Sequence, residues 1–304
     1  MSVAERVRAA LEARRELLAD PALDAHRLLH GWGEGVPGIE VDRYGDALWI
    51  EHRPDLAALV PEVVAALDAH GRLELVLARA RVARAAPVAL RGVASRRVVR
   101  EHGLSFAVDL SRAGNPGLYL DARPARAWLR ANAAGRRVLN LFAFSGSLGI
   151  AAAAAAARVT HVDSSEAALG WCRTNSELNG IAIDARDLAR MNIYQHIRRQ
   201  QAARQRYGGI ILDAPPDPAA PGLHALAPRC ARMLEPGGWL LCFYHHEPER
   251  THDELDAALR AAADRPLEPI WRGTSGPDFP EEDPRRKLRV TAFALSGPAT
   301  TLRA

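Results

Sequence analysis

Lysine is nearly missing from this sequence of 304 residues: Lys287 stands alone among 40 basic side chains. A Walker-type phosphate loop, which needs Gly-Lys-Ser/Thr, is therefore excluded. Cysteine is scarce as well. Cys172, Cys230 and Cys242 are unevenly spaced and form no Cys-x-x-Cys pair, so neither a disulfide framework nor a metal site is expected. No uninterrupted apolar run approaches the roughly 20 residues of a membrane span. The N-terminal MSVAERVRAALEARRELL mixes charge with Ala and Leu at helical spacing and lacks a signal peptide's apolar region and cleavage site. The expectation is a cytoplasmic protein with no membrane partner. A chain this long is expected to form two domains, each large enough for its own core.

The net charge is a mild +4, but almost every base is arginine, the better fork for phosphates and the better stacker on nucleobases. A GC-rich genome favours Arg and Ala codons everywhere and explains the same bias. Distribution says more than the total. Arg79, Arg81, Arg84, Arg91, Arg96, Arg97 and Arg100 fall in a stretch with no Asp or Glu. Such a run suits a nucleic-acid backbone, with a merely solvated face as the alternative.

The chain is organised around Val138 to Gly149, VLNLFAFSGSLG. Val138 to Phe142 reads as a buried strand, Ser145-Gly146-Ser147 as a tight turn, and the Ala-rich Leu148 to Ala157 as a helix. About twenty residues past the turn, a second strand, Val159 to Val162, ends in Asp163, where a carboxylate can hold the two hydroxyls of a ribose. No glycine precedes Gly146 in the turn, so the three-glycine dinucleotide pattern is absent. S-adenosylmethionine carries no phosphate and needs one close backbone approach, which fits this turn. An ordinary βα turn in some other doubly wound sheet is the alternative at this point.

Longer motifs narrow the choice. Gly117-Leu118-Tyr119-Leu120-Asp121-Ala122-Arg123, the VLNLFAFSGSLG segment and HVDSSEAALGWCRTNSELNG (His161 to Gly180) resemble a family of SAM-dependent large-subunit rRNA methyltransferases. These methylate carbon-5 of a cytosine, and close relatives methylate a guanine ring nitrogen. Ala25 to Pro54 resembles the family's central domain, and Ser275 to Leu295 its closing strands, so the likeness spans nearly the whole chain. It implies an α/β protein, with a Rossmann-like class I methyltransferase domain built on a mostly parallel twisted sheet and preceded by a small α/β domain. It also implies S-adenosylmethionine as cofactor, RNA, in particular rRNA, as substrate, and a homodimer. Cytosine-type members usually carry a further RNA-binding module ahead of this region, and the chain is expected to lack it.

The expected domains are an N-terminal helix (1–22), a small α/β domain for RNA or substrate recognition (23–103) and the methyltransferase domain (104–304). In the small domain, strands are expected over 39–43, 47–51 and 73–78, with a helix over about 55–70. The cofactor pocket is expected from Tyr119, Asp121 and Arg123 in the loop over the cofactor, with Asn140, Phe142, Ser145, Gly146, Asp163 and Ser164 around the turn. Asn192 stands where the family has an acidic residue near the adenine amino group, and its amide oxygen can accept the same hydrogen bond. Asp213 follows the central strand, and His245 and His246 end the strand Trp239 to Tyr244.

The chemistry departs from the cytosine type. There a thiolate adds to carbon-6 to make carbon-5 nucleophilic. Counted from Gly237-Gly238, that position is His245, and Cys242 lies three residues early, inside the strand. Asp213-Ala214-Pro215-Pro216 likewise offers Pro216 where a related group has its Cys. The favoured reading is direct transfer to a heteroatom of a base, with Asp213 orienting the acceptor and His245 or His246 taking a proton. Catalysis through Cys242, or binding of cofactor or RNA without catalysis, are the alternatives.

Overall fold

The computed structural model describes residues 1–155, 157–216, 222–245 and 247–295. They form two compact units: Met1–Leu120 together with Gly276–Pro284, and Asp121–Ser275 together with the chain from Arg285 onward. The expected boundary after residue 103 falls instead within the first unit, in the turn of a hairpin, and the expected separate helix 1–22 belongs to that unit's core.

In the first unit, the helix expected to run to about residue 20 is broken into α1 (Val3–Ala13) and α2 (Arg15–Leu18), because Arg14 leaves helical geometry at φ −106°, ψ 10°. A capping box starts α1: the Ser2 hydroxyl accepts from Glu5 N–H and the Glu5 carboxylate from Ser2 N–H. Strands β1 (Ala25–Leu29), β2 (Ile39–Tyr44) and β3 (Ala47–His52) follow, then α3 (Val60–Asp68), β4 (Leu75–Ala80) and β5 (Val88–Arg91). They make a sheet in the order β1-β2-β3-β4-β5, antiparallel except for β3 and β4, whose parallel pairing requires the crossover that α3 supplies. The separate hairpin is β6 (Arg96–Glu101) and β7 (Leu104–Asp109). Neither β5 nor β6 is legible in the sequence, because Val88, Leu90 and Val98 stay exposed and give no clean alternation.

One face of the sheet carries Ile39, Val41, Leu48, Ile50 and Val76 against Val7, Leu11, Val63 and Leu67 of α1 and α3. Burying each such side chain stabilises by roughly 1.5–3 kcal/mol. The alternate residues carry charge: Arg27 donates to Asp42 at 2.8 and 3.0 Å, and Arg81 pairs with Glu40 at 2.8 Å. Burial lifts the Asp42 carboxyl above its ordinary range despite Arg27. The arginine run read as a nucleic-acid surface is largely neutralised within the unit. Arg79 pairs with Glu51, Arg81 with Glu40, Arg91 with Asp68, Arg96 with Asp109, Arg97 with Asp46 and Arg100 with Asp24. Of that run, Arg84 is left without a carboxylate among the described residues.

The second unit begins with α4 (Arg123–Asn132) and β8 (Arg137–Leu141), followed by α5 (Ser147–Ala153), β9 (Arg158–Asp163), α6 (Glu166–Leu178) and β10 (Leu188–Arg190). It continues through α7 (Ile193–Ala202), β11 (Tyr207–Leu212), α8 (Leu223–Ala231), β12 (Leu234–Tyr244), α9 (His252–Ala262), β13 (Leu267–Thr274) and β14 (Arg289–Leu295). The strand order is β10-β9-β8-β11-β12-β14-β13, and β14 alone runs against its neighbours. Winding reverses between β8 and β11, so a crevice opens at the carboxyl ends of these strands. Every residue of β11 is buried, as expected of a parallel strand covered on both faces. The turn expected at Glu235 to Gly238 lies within β12 as an irregularity, since Tyr207 pairs with Leu234 but Gly209 with Trp239. Among the described residues, no helix is long and apolar enough to cross a membrane.

A buried polar cluster ties β12 to its neighbours. Asp256 of α9 accepts from the Tyr244 hydroxyl at 2.8 Å, the Thr291 hydroxyl at 2.8 Å and Arg272 Nε at 2.7 Å. Asp256 is 2% exposed, so removing its carboxylate strands the buried Tyr244 and Thr291 hydroxyls away from water, while the exposed Arg272 keeps Asp253. The Asp256→Ala variant is expected to lose about 2–4 kcal/mol of stability in urea unfolding, for two buried hydroxyls left without an acceptor; a loss below 1 kcal/mol counts against the cluster.

Candidate active site

The loop from β8 to α5 departs from ordinary backbone at alternate residues. Phe142 (φ 56°), Phe144 (φ 49°) and Gly146 (φ 82°) are left-handed, and two of them carry side chains. Each non-glycine residue in this region costs about 1–2 kcal/mol, so neighbours must hold it. They do. Asp163, at the end of β9, accepts from Phe144 N–H at 2.9 Å and from Ser165 N–H at 2.9 Å. From α6, the Cys172 thiol donates to the Phe144 carbonyl at 3.3 Å, and Asn175 Nδ2 donates to the Ser145 carbonyl at 2.8 Å. Trp171 packs edge-on against Phe144 at 5.6 Å.

The glycines of the turn have packing reasons that the sequence conceals. A Cβ on Gly146 would lie 2.9 Å from Cys172 Sγ. One on Gly149 would lie 2.4 Å from His161 Cε1 and 2.8 Å from Asn140 Nδ2. Asn140 is 1% exposed and shares a 3.2 Å hydrogen bond with His161 Nδ1, so its side chain lies in the layer between the sheet and α5. Burial holds His161 neutral, with its pKa lowered from 6.5 to about 4.

The other cofactor candidates sit at strand ends. Asp163 is half-buried and Ser164 exposed, one residue beyond β9. Asn192 caps α7, its amide oxygen accepting from Tyr194 N–H at 3.0 Å and Gln195 N–H at 3.4 Å; the oxygen expected at an adenine amino group thus already has two donors. Asp121 lies in a 3-10 turn and Arg123 opens α4 in a buried position. Tyr119 is exposed and belongs to the first unit. Ser145 is 1% exposed, and its hydroxyl has no partner among the described residues.

Asp213, just past β11, and His245, just past β12, are brought together: His245 Nε2 lies 2.6 Å from Asp213 Oδ1, both half-buried. Burial works against the imidazolium, but the hydrogen bond and charge of Asp213, helped by the charge of Asp121, outweigh it and raise the His245 pKa above its ordinary value. Cys242 lies inside β12, paired with Leu212 and Thr291 on either side and 0% exposed. Burial pushes its thiol well above the ordinary range, so it is held as the thiol. His246 lies outside the described residues.

An adenosine-bearing group without phosphate fits this edge. Asp163 uses two of its roughly four lone-pair directions on backbone N–H groups, which leaves acceptors for ribose hydroxyls. A family model described as S-adenosylmethionine-dependent methyltransferase matches residues 60–294. The chain belongs to this family of S-adenosylmethionine-dependent enzymes. Its relatives include the ribosomal RNA large subunit methyltransferase I of Erwinia tasmaniensis, 28% identical over 257 residues that cover 78% of this chain and 65% of the relative. The protein of the same description from Klebsiella pneumoniae is 29% identical over 249 residues, covering 73% of this chain and 60% of the relative. The chain thus spans between 60% and 65% of the length of these two relatives. Among solved structures, a proposed SAM-dependent methyltransferase from Streptococcus mutans superposes with a TM-score of 0.88 at 19% identity, covering 97% of this chain and 82% of that one, and shares the fold.

Sequence reasoning gave no role at the turn to Cys172 and Asn175, which bond its carbonyls, or to His161, which bonds Asn140 and fills the space at Gly149. The signal available was only their place in the helix and strand after it. Because His161 stays neutral when folded but takes a proton near pH 6.5 when unfolded, stability from this group is complete above pH 6.5 and drains away as pH falls to about 4. The loss amounts to about 3 kcal/mol. Urea titrations across that window are expected to show the slope in wild type and a flatter profile in His161→Gln.

Proposed function

We propose that this protein methylates a base nitrogen of ribosomal RNA by direct transfer, with no covalent enzyme intermediate. The observation that carries the reading is the Asp213–His245 pair at the ends of the two central strands. The depth of Cys242 supports it, since a buried thiol beside Asp256 and Cys230 is poorly suited to attack. The relatives' description as large-subunit rRNA methyltransferases supports RNA as the acceptor, and action in the cytoplasm follows from it.

S-adenosylmethionine, when bound, supplies an electrophilic methyl group. Asp163 and Ser164 would hold its ribose, and the turn at Phe142, Ser145 and Gly146 would shape the wall beside it, with Asp121, Arg123 and Asn192 bordering the pocket. Asp213 Oδ1 accepts from His245 Nε2–H, which fixes the tautomer and leaves Nδ1 as the open base. Asp213 Oδ2 orients the base by accepting a second N–H of it, distinct from the one that is lost. As the acceptor nitrogen gains the methyl group it loses its proton, which His245 Nδ1 receives, and Asp213 stabilises the resulting imidazolium. Holding the acceptor in line supplies most of the rate, and proton acceptance adds about 10²–10⁴-fold.

The sign of the pH dependence follows from the raised His245 pKa. The base is active only when neutral, so the rate is expected to rise with pH through a midpoint above 6.5. In Asp213→Asn the midpoint moves down, as the charge that held the proton is gone. Asp213→Ala should lose about 10²–10⁴-fold in methyl transfer, whereas Cys242→Ala should keep activity within a few-fold and form no adduct with 5-fluorocytosine RNA. The deciding measurement is mass-spectrometric comparison of rRNA nucleosides from a deletion strain and its parent. A single missing methylated base is expected; identical nucleosides, or loss of transfer in Cys242→Ala with a normal fold, overturn the reading.

A further inference from the structure

The arginines of this chain divide into two populations. Those between Arg79 and Arg100 are mostly held by carboxylates, whereas those of α7 and its exit are not. Arg198, Arg199, Arg204 and Arg206 are all exposed, and none pairs with a carboxylate among the described residues. The sequence explains why: no Asp or Glu occurs from Met191 to Leu212. Arg137, at the start of β8, joins them, donating to Gln205 Oε1 at 2.8 Å with its guanidinium 4.7 Å above the Tyr207 ring. Arg229 of α8 is exposed on the adjoining helix, where Gln201 Nε2 donates to its carbonyl at 3.0 Å. The nearby carboxylates already face other arginines: Asp264 pairs with Arg232, and Glu235 acts on Arg136. The positive field is felt inside α7, where Arg199 adds to burial in lowering the His196 pKa.

This patch lies at the amino ends of β8 and β11, whereas Asp163, Asp213 and His245 lie past the carboxyl ends of β9, β11 and β12. Strands of this length separate the two edges by about 17–20 Å. We propose that the α7 face, through Arg198, Arg199, Arg204 and Arg206 with Arg137 and Arg229, binds the sugar-phosphate backbone of a folded RNA. The inference rests on RNA being the acceptor and adds a second anchoring surface, remote from the reacting base. Exposed guanidiniums with no carboxylate partner among the described residues release the RNA's counterions without breaking any ion pair of their own. A strand of two or three nucleotides seated in the crevice cannot reach them, whereas a folded domain of rRNA spans both edges.

The test uses the full chain and a variant with Arg198→Gln, Arg199→Gln, Arg204→Gln and Arg206→Gln together. Binding is measured by anisotropy against protein-free large-subunit rRNA, an oligoribonucleotide of three nucleotides, about 10 Å long when stacked, and phosphatidylglycerol vesicles. For folded rRNA, the variant is expected to bind at least tenfold more weakly, with the slope of log affinity against log salt reduced by about 3. Its affinity for S-adenosylhomocysteine and for the oligonucleotide should match wild type, which also reports an intact fold. Equal rRNA affinity and salt slope in the two proteins overturn the patch while leaving the acceptor reading standing. Wild type that binds no rRNA overturns both, and wild type that binds vesicles but not rRNA assigns the patch to a membrane and overturns the inference.

Discussion

At the carboxyl edge of the parallel sheet, a carboxylate and an amide hold the geometry in place. Asp163 accepts the Phe144 N–H at 2.9 Å and, with the Val162 carbonyl that accepts the Ala143 N–H at 3.0 Å, holds the left-handed Phe144 from the tip of β9. The same residue is the one proposed as the ribose partner, so on that reading a single carboxylate would serve both the turn and the ligand. Cys172 and Asn175 fasten the other side of the loop by its carbonyls. The strained backbone is therefore set before any ligand arrives, and a binding site built this way spends little of its ligand's affinity on ordering itself.

On the proposed reading, the histidine at the end of β12 supplies a chemistry different from that of a thiol. A cysteine at the same place would be a nucleophile in search of an activated base; an imidazole oriented by a carboxylate is an acid–base group in search of a nitrogen that must lose a proton. Behind it, Tyr244 is tied to Asp256, and the buried Arg289 donates to the carbonyl of Glu247 at 2.9 Å, so the segment carrying His245 is fixed on both sides. The polar cluster that stabilises the second unit thereby also fixes the strand end from which His245 projects.

The sheet and the turn were legible because their signals are local. A short apolar run, a glycine turn and an acidic residue at the next strand end need no knowledge of what lies across the fold, and counting from Gly237-Gly238 was enough to put Cys242 inside the strand. What escaped depends on partners distant in sequence. The arginine run looked like free positive charge because Asp24, Glu40, Asp46, Glu51 and Asp68, which meet it, come from earlier elements. Asp256 sits in a helix dense with charge and reads as solvated, although Tyr244, Thr291 and Arg272 converge on it. Gly146 was legible as a glycine that mattered, but the side chain occupying its Cβ space, Cys172, was not.

The first unit is not built from one continuous piece of chain. Arg14 Nη2 donates to the Asp278 carbonyl at 2.8 Å, the Arg27 amide donates to the Asp278 carboxylate at 3.0 Å, and Arg27 lies 4.6 Å over the Phe279 ring. Asp278 is 0% exposed, so these bonds are part of the unit's interior. On the ribosome, therefore, the amino-terminal unit cannot finish first: all of Asp121–Ser275 must be translated before its last segment exists. At about 5–20 residues per second the delay is roughly 8–30 s, during which Arg14 Nη2 and the Arg27 amide lack the acceptors that Asp278 supplies.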